Sequence, residues 1–148
     1  MRPANCSTHI FTDVPSSITA AQAATIFVAI HGANVPNAFF MRPTSAVIEV
    51  MHPGWAHRHN WMLEQDPTHE LIYFGLVVEA SNWTPGLYEQ QQKDAGLPPY
   101  NGNGAVRDRN VHLRWEWLQP VMERIASLRG NMTLYREIAP ENRVMNVG

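Results

Sequence analysis

Thr25-Ile26-Phe27-Val28-Ala29-Ile30-His31-Gly32-Ala33-Asn34 is the stretch whose reading decides the fold. Its first part is a continuous β-branched and apolar run that stops abruptly at a histidine and a glycine. Such a run suits a strand buried on both faces, as in a parallel sheet covered by helices. Upstream, Ser16 and Ser17 are placed to cap a helix through Thr19, Ala20, Ala21, Gln22, Ala23 and Ala24. Residues 10–14 before them read as a short strand ended by Pro15. Downstream, Ala38-Phe39-Phe40-Met41 leads into a turn at Arg42-Pro43-Thr44-Ser45. Ala46-Val47-Ile48-Glu49-Val50 then reads as a second buried strand with one carboxylate near its C-terminal end. Residues 55–65 predict a helix broken before Pro67, and residues 71–78 a further strand with a bend at Gly75. Strands spaced by helical or turn-like pieces indicate βαβ units. The expected class is therefore α/β, a partial Rossmann-like parallel sheet with flanking helices, built as one domain over residues 1–148.

The rest of the chain is less regular. Residues 82–110 hold Pro85, Gly86, Gly96, Pro98, Pro99, Gly102 and Gly104, and predict a long irregular loop. Val111, Leu113, Trp115 and Trp117 alternate with His112, Arg114 and Glu116, the period-two pattern of an extended segment. Leu118, Val121, Met122, Ile125 and Leu128 follow helical spacing, with Pro120 expected in the first turn and Gly130 as the stop. From Pro140 onward the chain is expected to fray.

Composition narrows the classes of function. The chain has 148 residues, 45% of them hydrophobic, which is too apolar for disorder. No apolar run approaches the ~18 residues of a membrane-spanning helix, and no signal-peptide pattern opens the sequence. A net charge of −2 gives no support for a nucleic-acid partner. The single cysteine, Cys6, excludes an intrachain disulfide and a zinc site built from cysteines.

The candidate chemistry lies where the first strand ends. Ligands of open α/β sheets sit beyond the carboxyl ends of strands, where a glycine turn exposes backbone N–H groups. Gly32 lacks the Cβ that would hold a phosphate away, His31 adds a donor, and Glu49 could accept hydrogen bonds from ribose hydroxyls. The alternative is a tight strand–helix turn in which Gly32 serves geometry alone and His31 is a satisfied core histidine. Spacing alone favours that alternative.

The block from Thr25 to Val50 resembles the signature region of the glycosyltransferase 61 family. That region carries a buried strand, then His-Gly-Ala-Gly-Leu-Thr-Asn, an apolar turn, Pro-Pro-Gly, and a strand with Val-Ile-Glu. His31, Gly32, Ala33 and Asn37 match the first motif, Phe40 and Pro43 the turn, and Val47, Ile48 and Glu49 the strand. The resemblance implies the C-terminal, nucleotide-sugar-binding half of a GT-B enzyme. Such enzymes transfer xylose, arabinose or N-acetylglucosamine from a UDP-sugar, with inversion, onto glycans or glycoproteins in the secretory pathway, the Golgi or endoplasmic reticulum lumen. It implies no essential metal. By that resemblance His31, Gly32 and Ala33 would lie against the diphosphate and Glu49 against the ribose, with Asn34 and Asn37 also in the substrate site and Arg42 and Arg58 as candidate cations by sequence proximity. Asn34 stands where the family has Gly, Pro36 where it has Thr, and Arg42 where it has Pro. The family's further strands, expected before Ile10, and its acceptor-side half are not expected within these residues. The expectation is a fragment of a transferase whose catalytic base is not named, or a non-catalytic nucleotide-binding or interaction module that docks through an exposed sheet edge.

Two further groups stand out. His52, His57, His59 and His69 cluster, but a helix would point His57 and His59 apart, and a solvated His-rich helix start is the simpler reading. Among the tryptophans, Trp83 in the 82–110 segment is the one expected to meet a ligand or an interface. Asn5, Asn82 and Asn131 open N-x-S/T sequons, a pattern compatible with a luminal protein.

Overall fold

The computed structural model describes residues 6–10, 13–32, 35–54, 70–98 and 109–148. The expected helix over 55–65, together with Arg58, His57, His59 and His69, lies outside these, as do Ala33 and Asn34.

The first regular element is helix α1, Val14–Ala23, which begins earlier than the serines suggested. Asp13 is its N-cap, its carboxylate accepting from the Ser16 N–H at 2.8 Å. Ser16 and Ser17 sit inside the first turn and turn their hydroxyls back on Asp13. Pro15 opens the helix, where a missing N–H costs nothing. No strand forms over the described part of 10–14, and Ile10 lies exposed in coil.

The sheet follows. Strand β1, Ile26–Ile30, leads through a 3-10 turn at Val35–Phe40 to β2, Ala46–Met51; β3 is Ile72–Val78. A two-residue strand β4, Trp83–Thr84, is followed by helix α2, Leu87–Asp94, and by β5, Asn110–Val111, which pairs antiparallel with β4. Helix α3, Trp115–Leu128, and the short α4, Met132–Arg136, precede β6, Val144–Val147. The main sheet runs β1-β2-β3-β6, every neighbouring pair parallel. Every residue of β2 and β3 is buried, as a central parallel pair demands. The chain is thus an α/β protein with a four-stranded parallel sheet and flanking helices, consistent with a Rossmann-like fold.

Several expectations need correction. Gly75 does not bend β3: it pairs in register with Glu49 on one side and Val144 on the other. The 82–110 segment is irregular only in part, since it contains β4, α2 and the start of β5. The alternation over 111–117 stops being extended at Arg114, which caps α3 with β-region dihedrals, so Trp115 and Trp117 occupy the first helical turn. Pro120 accordingly lies in the second turn rather than the first. The tail from Pro140 is ordered. A 3-10 turn at Pro140–Arg143 delivers β6 beside β3, and Arg143 stacks 4.4 Å over the Tyr135 ring.

Val121, Ile125 and Leu128 form the buried stripe of α3 and pack with Ile48, Ile72, Phe74 and Leu76 in the main core. Full burial of each such aliphatic or aromatic side chain is worth roughly 1.5–3 kcal/mol. Trp117, near the start of α3, packs with Val50, Val78 and Trp83 at the carboxyl ends of the strands. At its other end Arg129 and Gly130 take left-handed dihedrals, and Gly130 lies against Thr44, just before β2 begins. The helix therefore returns along the sheet from carboxyl to amino edge, as a crossover to β6 requires.

Candidate functional site

His31 is the first residue beyond β1, and its backbone still belongs to the ladder, donating to the Val50 carbonyl at 2.8 Å. This holds the side chain at a fixed place on the carboxyl edge of the sheet. Residues 47, 49 and 51 share one face of β2, and Glu49 projects from that face beside Ala29 of β1 and Gly75 of β3. Tyr73, two residues before Gly75, shares the same face.

The three side chains meet. His31 Nδ1 lies 2.5 Å from Glu49 Oε1, and the Tyr73 hydroxyl donates to Glu49 Oε2 at 2.5 Å. Glu49 is only 3% exposed and Tyr73 is buried, while the His31 side chain keeps 23% of its surface. The carboxylate is thus matched by one donor on each oxygen, and the chain of contacts runs from the interior to the surface through the imidazole. Since a buried carboxylate offers only acceptors, Nδ1 is the protonated nitrogen that faces it. Gly75 makes room for this: a Cβ there would come 2.7 Å from Met51 Cε and 3.4 Å from the Tyr73 hydroxyl.

Tyr73 is anchored in turn. Its N–H and C=O face the edge of β3 where β6 has not yet begun, and both bond to the Tyr135 hydroxyl, each at 3.1 Å. That hydroxyl stands in for a missing strand.

Gly32 follows His31 with φ +150°, a conformation that favours glycine, and among the described residues nothing lies within 4 Å of where a Cβ would be. Its carbonyl accepts from the Val35 N–H at 3.2 Å, which starts the 3-10 turn carrying the half-buried Asn37. Of the residues expected to form a site, the structure brings His31 and Glu49 into direct contact and sets Gly32 beside them.

Glu49 does not present itself to a ribose, because both of its oxygens are held and it is buried. Arg42 is elsewhere. Its Nε donates to the Gln22 carbonyl at 2.7 Å, near the last turn of α1 and the amino edge of the sheet. An open hollow of about 570 Å³ lies there too, lined by Thr19, Gln22, Phe40, Arg42 and Pro43 among others, the full length of β1 away from His31. Tyr73 was missed by sequence reasoning, since a tyrosine inside Leu71-Ile72-Tyr73-Phe74 reads as one more strand aromatic. Only the register shows its hydroxyl next to Glu49.

Trp83 is also not the ligand contact expected of it. It is buried in the second core cluster, and its indole N–H donates to the Val78 carbonyl at 3.0 Å. His52, just past β2, lies edge-on to Trp83 with ring centroids 5.5 Å apart, and its Nδ1 accepts from the Gly54 N–H. Burial first, and the charge of Arg109 second, lower the His52 pKa from its usual value. Arg109 pairs with Glu89 at 3.4 Å. Among the described residues, no group of three or more His, Cys, Asp or Glu side chains is placed to hold a metal ion, and no helix is long and apolar enough to cross a membrane.

The fold and this site define an α/β protein with a buried carboxylate held between a strand-end histidine and a tyrosine. Comparison with family models, with curated proteins and with solved structures finds no match for the chain.

Proposed function

We propose that this chain is the donor-binding half of an inverting glycosyltransferase of GT-B type. Its donor is a UDP-sugar such as UDP-xylose or UDP-N-acetylglucosamine, and its acceptor a glycan or glycoprotein of the secretory pathway. The observation that carries the reading is the strand end itself. His31 and Gly32 stand immediately past the carboxyl end of a parallel strand, and no described residue crowds the Gly32 α-carbon where a phosphate oxygen can approach the backbone. The motif resemblance over Thr25 to Val50 supports the same assignment. The diphosphate then meets His31, Gly32 and the start of the Val35–Phe40 turn, and no metal is required for that contact. Glu49 serves this site from behind, through His31, rather than by touching the ribose.

A second reading is favoured by β1. Val28 and Ile30 are 38% and 47% exposed on a strand that pairs on one side only among the described residues. An apolar, half-paired edge strand invites association. On that reading the chain is a non-catalytic nucleotide-binding or interaction module that docks through β1.

Calorimetric titration of UDP into the folded chain, with His31→Ala alongside, tests the first reading. Saturable binding weakened about tenfold or more by the substitution, equivalent to ~1.4 kcal/mol, is the expected result. A folded chain that binds no UDP would overturn it.

A further inference from the structure

Glu49 sits at a costly place for a carboxylate. It is inside a parallel sheet, on a strand whose every residue is buried, with Val47 and Met51 as its neighbours on the same face. Taking such a group out of water costs several kcal/mol unless its oxygens are well bonded. An apolar residue of similar size would pack there without that cost. The fold instead supplies two donors from the two adjacent strands, one per oxygen, and leaves out a side chain at Gly75 so that they fit. One donor, Tyr73, is wholly interior. The other, His31, is the partly exposed residue at the strand end. The network therefore has an inner anchor and an outer working end, an arrangement that orients an imidazole and fixes which of its nitrogens carries the proton.

We propose that Glu49 and Tyr73 are positioning residues for His31. The Tyr73 hydroxyl holds the Glu49 carboxylate, the carboxylate holds the Nδ1–H of His31, and the imidazole meets the diphosphate of a nucleotide through Nε2. The last step rests on the nucleotide reading given above; the first two do not. A diphosphate oxygen and a carboxylate are both acceptors, so an imidazole bridging them needs a proton on each nitrogen. His31 is then an imidazolium in the complex, with Glu49 as its buried counter-charge.

Nitrogen-15 NMR of the histidine side chains, assigned with His31→Ala, reads the arrangement without any nucleotide. In the wild-type chain His31 is expected to show a protonated, strongly hydrogen-bonded Nδ1. Glu49→Gln replaces the carboxylate by a neutral amide whose single oxygen can serve only one of the two donors, and is expected to weaken that signature. Tyr73→Phe removes only the hydroxyl, and is expected to shift it. Tyr135→Phe is the control. It strips the bonds to the Tyr73 backbone and lowers stability, but leaves the His31 signals where they are. UDP titration of the same variants reads the consequence, with affinity falling roughly fivefold for Tyr73→Phe, the worth of one hydrogen bond, and more for Glu49→Gln.

A His31 protonated on Nε2 alone in the free chain, or His31 signals that move as much in Tyr135→Phe as in Tyr73→Phe, would overturn the positioning role. So would unchanged UDP affinity in both Glu49→Gln and Tyr73→Phe, and a neutral His31 in the UDP complex would overturn the bridging step. Absence of UDP binding to a wild-type chain that shows the expected Nδ1 signature would sink the nucleotide reading and the bridging step with it. The Glu49–Tyr73 hold on the ring would stand.

Discussion

Tyr135 shows how much one hydroxyl can carry in this chain. Its oxygen takes the N–H of Tyr73 and donates to the same residue's carbonyl, at the one stretch of β3 that β6 is too short to reach. Removing it takes these two bonds from buried backbone groups. Tyr135→Phe is therefore expected to cost about 1–3 kcal/mol, read as a lower urea midpoint at unchanged slope. His52 gives a prediction in pH. Its folded pKa lies below the ordinary value of 6.5, so the unfolded chain binds the proton more readily. Its contribution to stability is complete above about 6.5 and is lost as pH falls toward the folded pKa. His52→Gln is expected to flatten the loss of melting temperature between pH 7.5 and 5 relative to wild type; an unchanged slope would contradict this. At this scale the sequence was half legible. A histidine and a glycine closing an apolar run, and a lone carboxylate in the next, announce themselves. The hydroxyl of Tyr73 does not, because its partner lies on a different strand and only the register joins them.

Elements formed where local chemistry and burial agreed. β1 and β3 are apolar runs and β2 is one interrupted only by Glu49, and the runs survive in the sheet almost residue for residue. The start of α1 was misread because two serines drew attention from Asp13, whose carboxylate reaches the Ser16 N–H that they cannot. Asp13→Ala is expected to cost about 0.5–2 kcal/mol, in the range of other N-caps, measured by denaturant titration. β6 had no local signal at all. Val144-Met145-Asn146-Val147 is only four residues long with one polar residue among them, and becomes a strand because the edge of β3 is there to pair with it. Trp115 and Trp117 failed in the opposite sense, since alternation over a few residues does not exclude a helical turn. Gly75→Ala tests the packing behind the site. The added carbon meets a flexible Met51 tip but also Val144 and the Tyr73 hydroxyl, so a loss of about 1–3 kcal/mol is expected.

For the whole molecule, the monotonic order β1-β2-β3-β6 makes stability uneven. β2 and β3 are paired on both sides and wholly buried, whereas β1 carries exposed Val28 and Ile30. Amide exchange is expected to be slowest in β2 and β3 and faster in β1. Fastest protection loss in β2 would contradict the architecture. The same exposed residues predict concentration-dependent association, which Val28→Lys is expected to reduce in sedimentation experiments. The proposed functional centre lies at the carboxyl edge, where a strand end, a glycine and a buried carboxylate converge, while the open hollow beside Arg42 lies at the other end of the sheet. On the proposed function a nucleotide binds at that carboxyl edge. Titrating UDP into isotopically labelled protein and following the backbone amides measures that. Saturable shifts at His31 and Gly32, spreading to Val50 and Glu49, with little movement near Arg42, are the result predicted here. Saturable shifts confined to the hollow between α1 and Arg42, or none anywhere in a folded chain, would contradict it.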